Sequence, residues 1–239
     1  MTLVQRSSTT IVSLKEAQKL YATYREGLPI EDADLLTIST PYPVMVRNYQ
    51  QLTAEMRAAD RDLLEALECR GFRLDFGEDE TGFQMKYLTR GGGYYFNVGC
   101  SDLIVSGEIE LIQYSEVDRL VADGIRMKDD TVRPVELLVT ATGFKNQQAV
   151  VREHLGDQIA DRVGPIWGFG DGRELRNMWT RTPQPGLWFT AGSFTQCRVF
   201  SKYLALQILA TELGLIEPAQ ADSAMLRDSR DAQPILKPA

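Results

Sequence analysis

The stretch Val135-Glu136-Leu137-Leu138-Val139-Thr140-Ala141 is a nearly continuous apolar run. Such a run suits a strand buried on both faces, as in a parallel sheet covered by helices. It ends at Thr142-Gly143-Phe144. A second apolar run, Gly186-Leu187-Trp188-Phe189-Thr190, leads through Ala191-Gly192-Ser193 into a helical pattern from about Gln196 to Leu213. Strands that end in glycine turns and lead to helices imply an α/β architecture.

The rest of the chain is read around these two runs. Met1 to Ser7 reads as a strand stub entering a polar turn. Ser13 to Glu26 is helical, with Ser13 and Glu16 in capping-box spacing, and Gly27, Pro29, Pro41 and Pro43 break the chain after it. A long helix is expected from Val44 to Glu68. Met45, Tyr49, Leu52, Met56, Ala59, Leu63 and Ala66 recur on it at four- and three-residue steps, an apolar stripe that serves as a core face or as a dimer seam. Gly71 suits a left-handed helix cap. Leu74 to Thr89, acidic at Glu78-Asp79-Glu80, reads as a solvated loop. Tyr94 to Val98 reads as a strand and Ser101 to Val105 as a short helix. From Gly107 the period becomes that of strands: Glu108–Gln113, Val117–Val121 and Ile125–Lys128, with Asp123-Gly124 as a hairpin turn. Helices follow at Gln147–Leu155 and Asp157–Val163, then a Gly- and Trp-rich stretch from Gly164 to Pro185. From Glu217 the tail is polar.

Composition removes several function classes. Of 239 residues, 26 are Lys or Arg and 33 are Asp or Glu, a net charge of −7. That argues against nucleic-acid binding, which concentrates cationic side chains. Cys69, Cys100 and Cys197 lie far apart, so neither a disulfide framework nor a cysteine zinc site is expected, and a reduced cytoplasmic setting fits. The single histidine, His154, excludes any mechanism needing two in this chain and reads as a surface or structural residue. The longest uncharged apolar run, Tyr203 to Thr211, is far short of the about 20 residues that span a bilayer. No signal peptide is visible.

Neither G-x-G-x-x-G nor G-x-x-x-x-G-K-[ST] occurs, and H-E-x-x-H and G-x-S-x-G are also missing. Three places remain. Arg6-Ser7 follows the first strand; at the equivalent point of a dinucleotide-binding βαβ unit an Arg accommodates the 2′-phosphate of NADP. Thr142-Gly143 stands at the carboxyl end of a strand, where open α/β sheets bind ligands. Gly192 to Arg198 opens a helix whose first-turn amides carry roughly half a positive charge, with Ser193 and Thr195 as candidate caps. An exposed charge, a plain turn and an ordinary capped helix are the bland readings of the three.

Together, in this order and spacing, these places resemble the C-terminal portion of the flavin-containing monooxygenases, flavoproteins with two dinucleotide-binding domains that use FAD and NADPH. The matching stretches include Leu3–Ser7, Gly71–Gly77, Met85–Leu88, Gly93–Gly99, Glu136–Phe144, Glu174–Trp179 and Gly186–Phe189. The likeness spans Leu3 to about Leu215. It implies a partial two-dinucleotide-binding-domain flavoprotein fold with incomplete Rossmann-like domains and a β-meander insert. Residues 1–140 would be the remainder of the NADPH domain with a helical insert, 141–215 the C-terminal part of the FAD domain, and 216–239 a polar tail.

The resemblance also implies roles. Arg6 and Ser7 would hold the 2′-phosphate of NADPH. Thr142 and Gly143 would lie where the chain passes from the NADPH domain to the FAD domain. Gly192, Gln196 and Arg198 would lie by the flavin. No catalytic side chain is implied, since the cofactor carries the chemistry: NADPH reduces FAD, and the reduced flavin uses O2 to oxygenate a small organic substrate. Trp167 to Trp179 would line the substrate side or pack at an interface.

The family's two glycine loops would precede Met1. The expectation is therefore a truncated product, a misplaced start or one half of a split enzyme. Such a chain would bind FAD poorly and work with an upstream-half polypeptide or as a homodimer. The alternative is a non-catalytic remnant acting as a binding or oligomerisation module; a flavin disulfide reductase is disfavoured by the absence of a C-x-x-C pair.

Overall fold

A computed structural model of the chain describes residues 1–216. The expected polar tail lies, from residue 217, outside them. The described residues are a mixture of helix (49%) and strand (16%), so neither an all-helical nor an all-β architecture applies to them. It divides into two compact units. The first comprises residues 1–30 and 40–143; the second comprises residues 31–39 and the chain from residue 144.

In the first unit, β1 (Thr2–Gln5) pairs in parallel with β4 (Glu110–Gln113), and β2 (Thr10–Ser13) pairs in parallel with β3 (Tyr94–Asn97). Successive strand residues face opposite ways. Ile11 of β2 packs with Leu64 and Leu67 of α4 (Arg61–Cys69) and Ile104 of α6 (Cys100–Ser106). Its neighbour Val12 packs with Met56 of α3 (Tyr42–Ala59) and Phe83 of α5 (Gly82–Arg90). The β2–β3 pair is therefore covered by helices on both faces, the layering expected of a mixed α/β unit.

This layering corrects the expectation of one unbroken helix from Val44 to Glu68. α3 serves one face and α4 the other, so the chain must turn between them. It does so at Asp60, whose carboxylate accepts the Ser13 amide at 2.7 Å. The turn also shifts the apolar phase. Ala59 is exposed, and the buried positions on the two helices are Thr53, Met56, Leu64 and Leu67. The helix expected over Ser13–Glu26 is α1 (Leu14–Ala17) followed by a 3-10 segment (Gln18–Arg25); Ser13 makes no side-chain cap.

The loop expected over Leu74–Thr89 is half helix. Glu78–Glu80 is an exposed 3-10 turn, but α5 follows it, because Phe83 and Met85 have a core to enter. β5 (Val117–Val121), β6 (Gly124–Met127) and β7 (Val132–Pro134) form an antiparallel meander; the hairpin turns at Ala122-Asp123, one residue before the expected Asp123-Gly124, because Gly124 already pairs with Val121 and lies against the Arg133 carbonyl of β7. Ile125 and Met127 pack against Ile112 of β4.

The strand expected at Val135–Ala141 does not form. Beyond the Val135 amide, which donates to Asp123 at 3.3 Å, the run finds no ladder partner among the described residues. Leu137 and Val139 are 79% and 75% exposed. A strand of this composition needs neighbours on both edges, and β1–β4 does not extend to it.

In the second unit, α7 (Gln147–Leu155) and α8 (Asp157–Val163) pack together, with α9 (Phe194–Glu212) contributing Leu204 to a core of Val151, Ala160, Val163, Met178 and Trp179. α2 (Ile30–Ile38), not anticipated from the sequence, lies mostly in this unit. The strand expected at Leu187–Thr190 reduces to one parallel bridge, Met178 with Phe189. Trp179 has a positive φ of 59° and is tied by its amide to the Phe189 carbonyl at 3.0 Å, which substitutes for a ladder.

Leu67 is fully buried. Leu67→Ala should lower unfolding stability by about 2–5 kcal/mol, the usual range for such a cavity; urea denaturation of the two proteins measures it. A cost below about 1 kcal/mol would contradict the double-sided core.

Candidate functional site

The first candidate site is the turn that leaves β1. Because β1 runs parallel with β4, Arg6 and Ser7 lie off its carboxyl end, and both side chains are exposed. The residues on either side fix the turn. Gln5 is buried and behaves like a piece of backbone: its Nε2 donates to the Arg73 carbonyl at 2.9 Å, and its Oε1 accepts the Arg73 amide at 2.9 Å. Gln113 Nε2 donates to the same Oε1 at 2.8 Å and to the Gly71 carbonyl at 2.9 Å. On the other side, Ser8 Oγ donates to Asp75 at 2.8 Å, and Thr10 Oγ1 donates to the Asp75 carbonyl at 2.6 Å.

Asp75 is itself held by Lys86. The Lys86 side chain is only 2% exposed, pairs with the Asp75 carboxylate, and donates to the Gly93 carbonyl at 3.0 Å. Burial pushes the Asp75 carboxyl up. Hydrogen bonds from Lys86, the Gly77 amide and Ser8, with the Lys86 charge, outweigh that and hold it below the ordinary carboxylate value. Sequence reasoning missed this pair. Its only local trace is a lysine inside the otherwise uncharged stretch Phe83–Thr89.

Thr142 and Gly143 are exposed and lie outside regular structure, because the strand expected before them does not form. Gly143 has φ +83°, and a Cβ built there meets nothing within 4 Å. The glycine is needed for its backbone conformation, not for close approach.

The third candidate is the start of α9. Ser193 Oγ accepts the Gln196 amide at 3.3 Å, and Gln196 Oε1 accepts the Ser193 amide at 2.9 Å, a reciprocal capping box. Gly192, at φ +110°, lies against that carboxamide, where any Cβ would collide. Arg198 faces Asp34 on α2 and makes a bidentate pair, Nε at 2.7 Å and Nη2 at 2.6 Å. Asp34 is 4% exposed in its side chain. Asp34 was not anticipated. The usable signal is Pro29 followed by Ile30-Glu31-Asp32, a helix start with acids in the first turn.

The three places thus form three local groups: Arg6 with Ser7, Thr142 with Gly143, and Gly192 with Gln196. His154 is exposed on α7. Trp179 is buried in the core of the second unit, and Trp167 packs against that core. No group of His, Cys, Asp and Glu able to hold a metal occurs among the described residues. No described helix is long and apolar enough to cross a membrane.

Two outcomes are expected. With its value depressed on folding, Asp75 contributes stability fully above the ordinary carboxylate value of about 4 and loses it as pH falls through the lower folded value. The urea midpoint should therefore drop more between pH 5 and pH 3 for the native chain than for Asp75→Asn; equal drops would contradict this. Arg198→Ala should cost about 2 kcal/mol, below the full buried-pair range because the arginine is 41% exposed, by leaving the Asp34 carboxylate without its bidentate donor. Thermal unfolding of the variant tests it, and an unchanged midpoint would contradict it.

No protein-family model matches this chain, and no curated protein matches it.

Proposed function

We propose that this chain carries the NADPH-side and C-terminal parts of a flavin-dependent monooxygenase, an oxidoreductase that acts on a small organic substrate. Its units are read as incomplete Rossmann-like domains. The observation that carries the reading is the turn after β1: an arginine and a serine exposed off the carboxyl end of a parallel strand, on a backbone fixed by Gln5 and Asp75. Ligands of open α/β sheets bind at that end.

The residues fit NADPH there. Arg6 offers a guanidinium to a phosphate, and Ser7 adds a hydroxyl. NADPH supplies hydride when bound; the part of Arg6 and Ser7 is to bind the 2′-phosphate and so select NADPH over NADH. The residues matched to FAD do not fit it. Gln196 closes the cap of α9, and Arg198 is committed to Asp34. No step is routed through the flavin from these side chains, and tight FAD binding by this chain alone is not expected without glycine-loop amides.

One observation favours the oligomerisation module instead. Along α9 and its C-cap, Tyr203, Leu206, Leu209 and Leu213 recur at helical spacing and are all more than half exposed.

Titration calorimetry with NADPH and NADH tests the main reading. NADPH should bind about tenfold or more tightly than NADH, the scale of one charge-assisted phosphate contact. Arg6→Ala should remove the difference. Equal affinities in the native chain, or a preference that survives Arg6→Ala, would contradict the assignment. A concentration-dependent dimer with no nucleotide affinity would favour the module.

A further inference from the structure

Gln5, Arg73, Ser115 and Gln113 close a ring of hydrogen bonds at the carboxyl ends of β1 and β4. The two strands are in register at Gln5 and Gln113, and the Gln113 carboxamide donates to that of Gln5 at 2.8 Å. Arg73 opens the edge segment Arg73–Asp75, which pairs in parallel with Thr9 at Leu74. Gln5 clamps its amide and its carbonyl, each at 2.9 Å. The Arg73 side chain then returns to the sheet, where Nη2 donates to Ser115 Oγ at 3.0 Å. Arg6 and Ser7 follow Gln5 directly, and Tyr114 and Ser115 follow Gln113. Neighbouring strands lie about 4.8 Å apart, so these side chains share one end of the strand pair.

Arg73 is a second exposed guanidinium at this end, in a setting unlike that of Arg6. Among the described residues it pairs with no acid; its side-chain partner is the neutral Ser115 hydroxyl, which holds one edge of the plane. Tyr114 adds an aromatic ring that is 56% exposed. Two carboxylates lie near. Asp75 is neutralised by Lys86. Glu116, one residue past Ser115, accepts the Gln113 amide at 3.3 Å and has no cation on it among the described residues. A phosphate dianion at Ser115 would be repelled by Glu116, whereas a neutral ring would not. A planar cation beside an aromatic ring suits a flat heteroaromatic base. In NADPH the adenine and the 2′-phosphate stand on neighbouring carbons of one ribose, so a base next to a phosphate held at Arg6 falls within reach of Arg73.

We propose that Arg73 is the adenine-binding residue of this site: the base stacks on its guanidinium and Tyr114 extends the stacking surface, while Arg6 and Ser7 hold the 2′-phosphate of the same ribose. The assignment rests on the NADPH reading of the turn after β1. It divides the work between the two arginines. Arg6 selects between NADPH and NADH, and Arg73 serves the part that the two dinucleotides share.

The test titrates NADPH and NADH into the full native chain, Arg73→Ala and Arg73→Lys, each checked for native circular dichroism. Arg73→Ala should weaken both dinucleotides by the same factor, about fivefold, the scale of an exposed cation–π contact, and leave their ratio unchanged. Arg73→Lys keeps the charge without the plane and should not restore affinity. In the 15N-labelled native chain, 5′-AMP should move the Arg73 Nε–Hε signal upfield through the ring current of the base, and ribose 5-phosphate should leave it in place. If the native chain prefers NADPH and Arg6→Ala removes that preference, the assignment of Arg73 falls alone on any of three results: unchanged affinities in Arg73→Ala, a reduced NADPH-to-NADH ratio, or full rescue by Arg73→Lys. Equal affinity of the native chain for the two dinucleotides, or binding of neither, overturns the NADPH reading and this assignment with it.

Discussion

The Lys86–Asp75 pair is the contact on which the first unit turns. A buried ammonium is tolerable only when paired and hydrogen-bonded, and this one is satisfied by Asp75 of the edge segment and by the Gly93 carbonyl just before β3. Asp75 in turn accepts hydrogen bonds from Ser8 and from Thr10, the first residue of β2. Pairing the lysine therefore brings α5, the β2–β3 pair and the edge segment into one arrangement. The turn carrying Arg6 is fixed as a by-product, with Gln5 clamping its other side.

The second unit relies on a different device. Its core is assembled from helices and an irregular Gly- and Trp-rich segment, and regular strand pairing is scarce there. Hydrogen bonds from Trp179 to Phe189 and Ala191, and the Arg198–Asp34 pair, do the holding that a ladder would do elsewhere. This is why Gln196 and Arg198, read from the sequence as polar groups near a ligand, are found engaged within the protein.

Much of the local structure was legible. α7, α8 and β3 follow their sequence signals, and the β5–β6 hairpin forms one residue from its expected turn, because periodicity and turn chemistry act over a few residues. What was not legible depends on distant partners. The break at Asp60 arises because α3 and α4 serve opposite faces of β2–β3, which no stripe on the helix itself encodes. The runs Val135–Ala141 and Leu187–Thr190 carry strand composition, yet a strand is made by its neighbours. Of the candidate site residues, the exposed position of Arg6 after a strand could be read from Leu3-Val4. Lys86–Asp75 and Arg198–Asp34 could not, since neither pair falls at a spacing that helix or strand geometry makes recognisable.

Hydrogen exchange on Lys86→Met tests the central role of the buried pair most directly. If the pair holds the first unit's arrangement, the amides of Thr9, Thr10, Asp75 and Gly77 should lose protection together and by similar factors, while the Trp179 amide in the second unit keeps its own. Loss of protection confined to α5, or spread equally over both units, would contradict it.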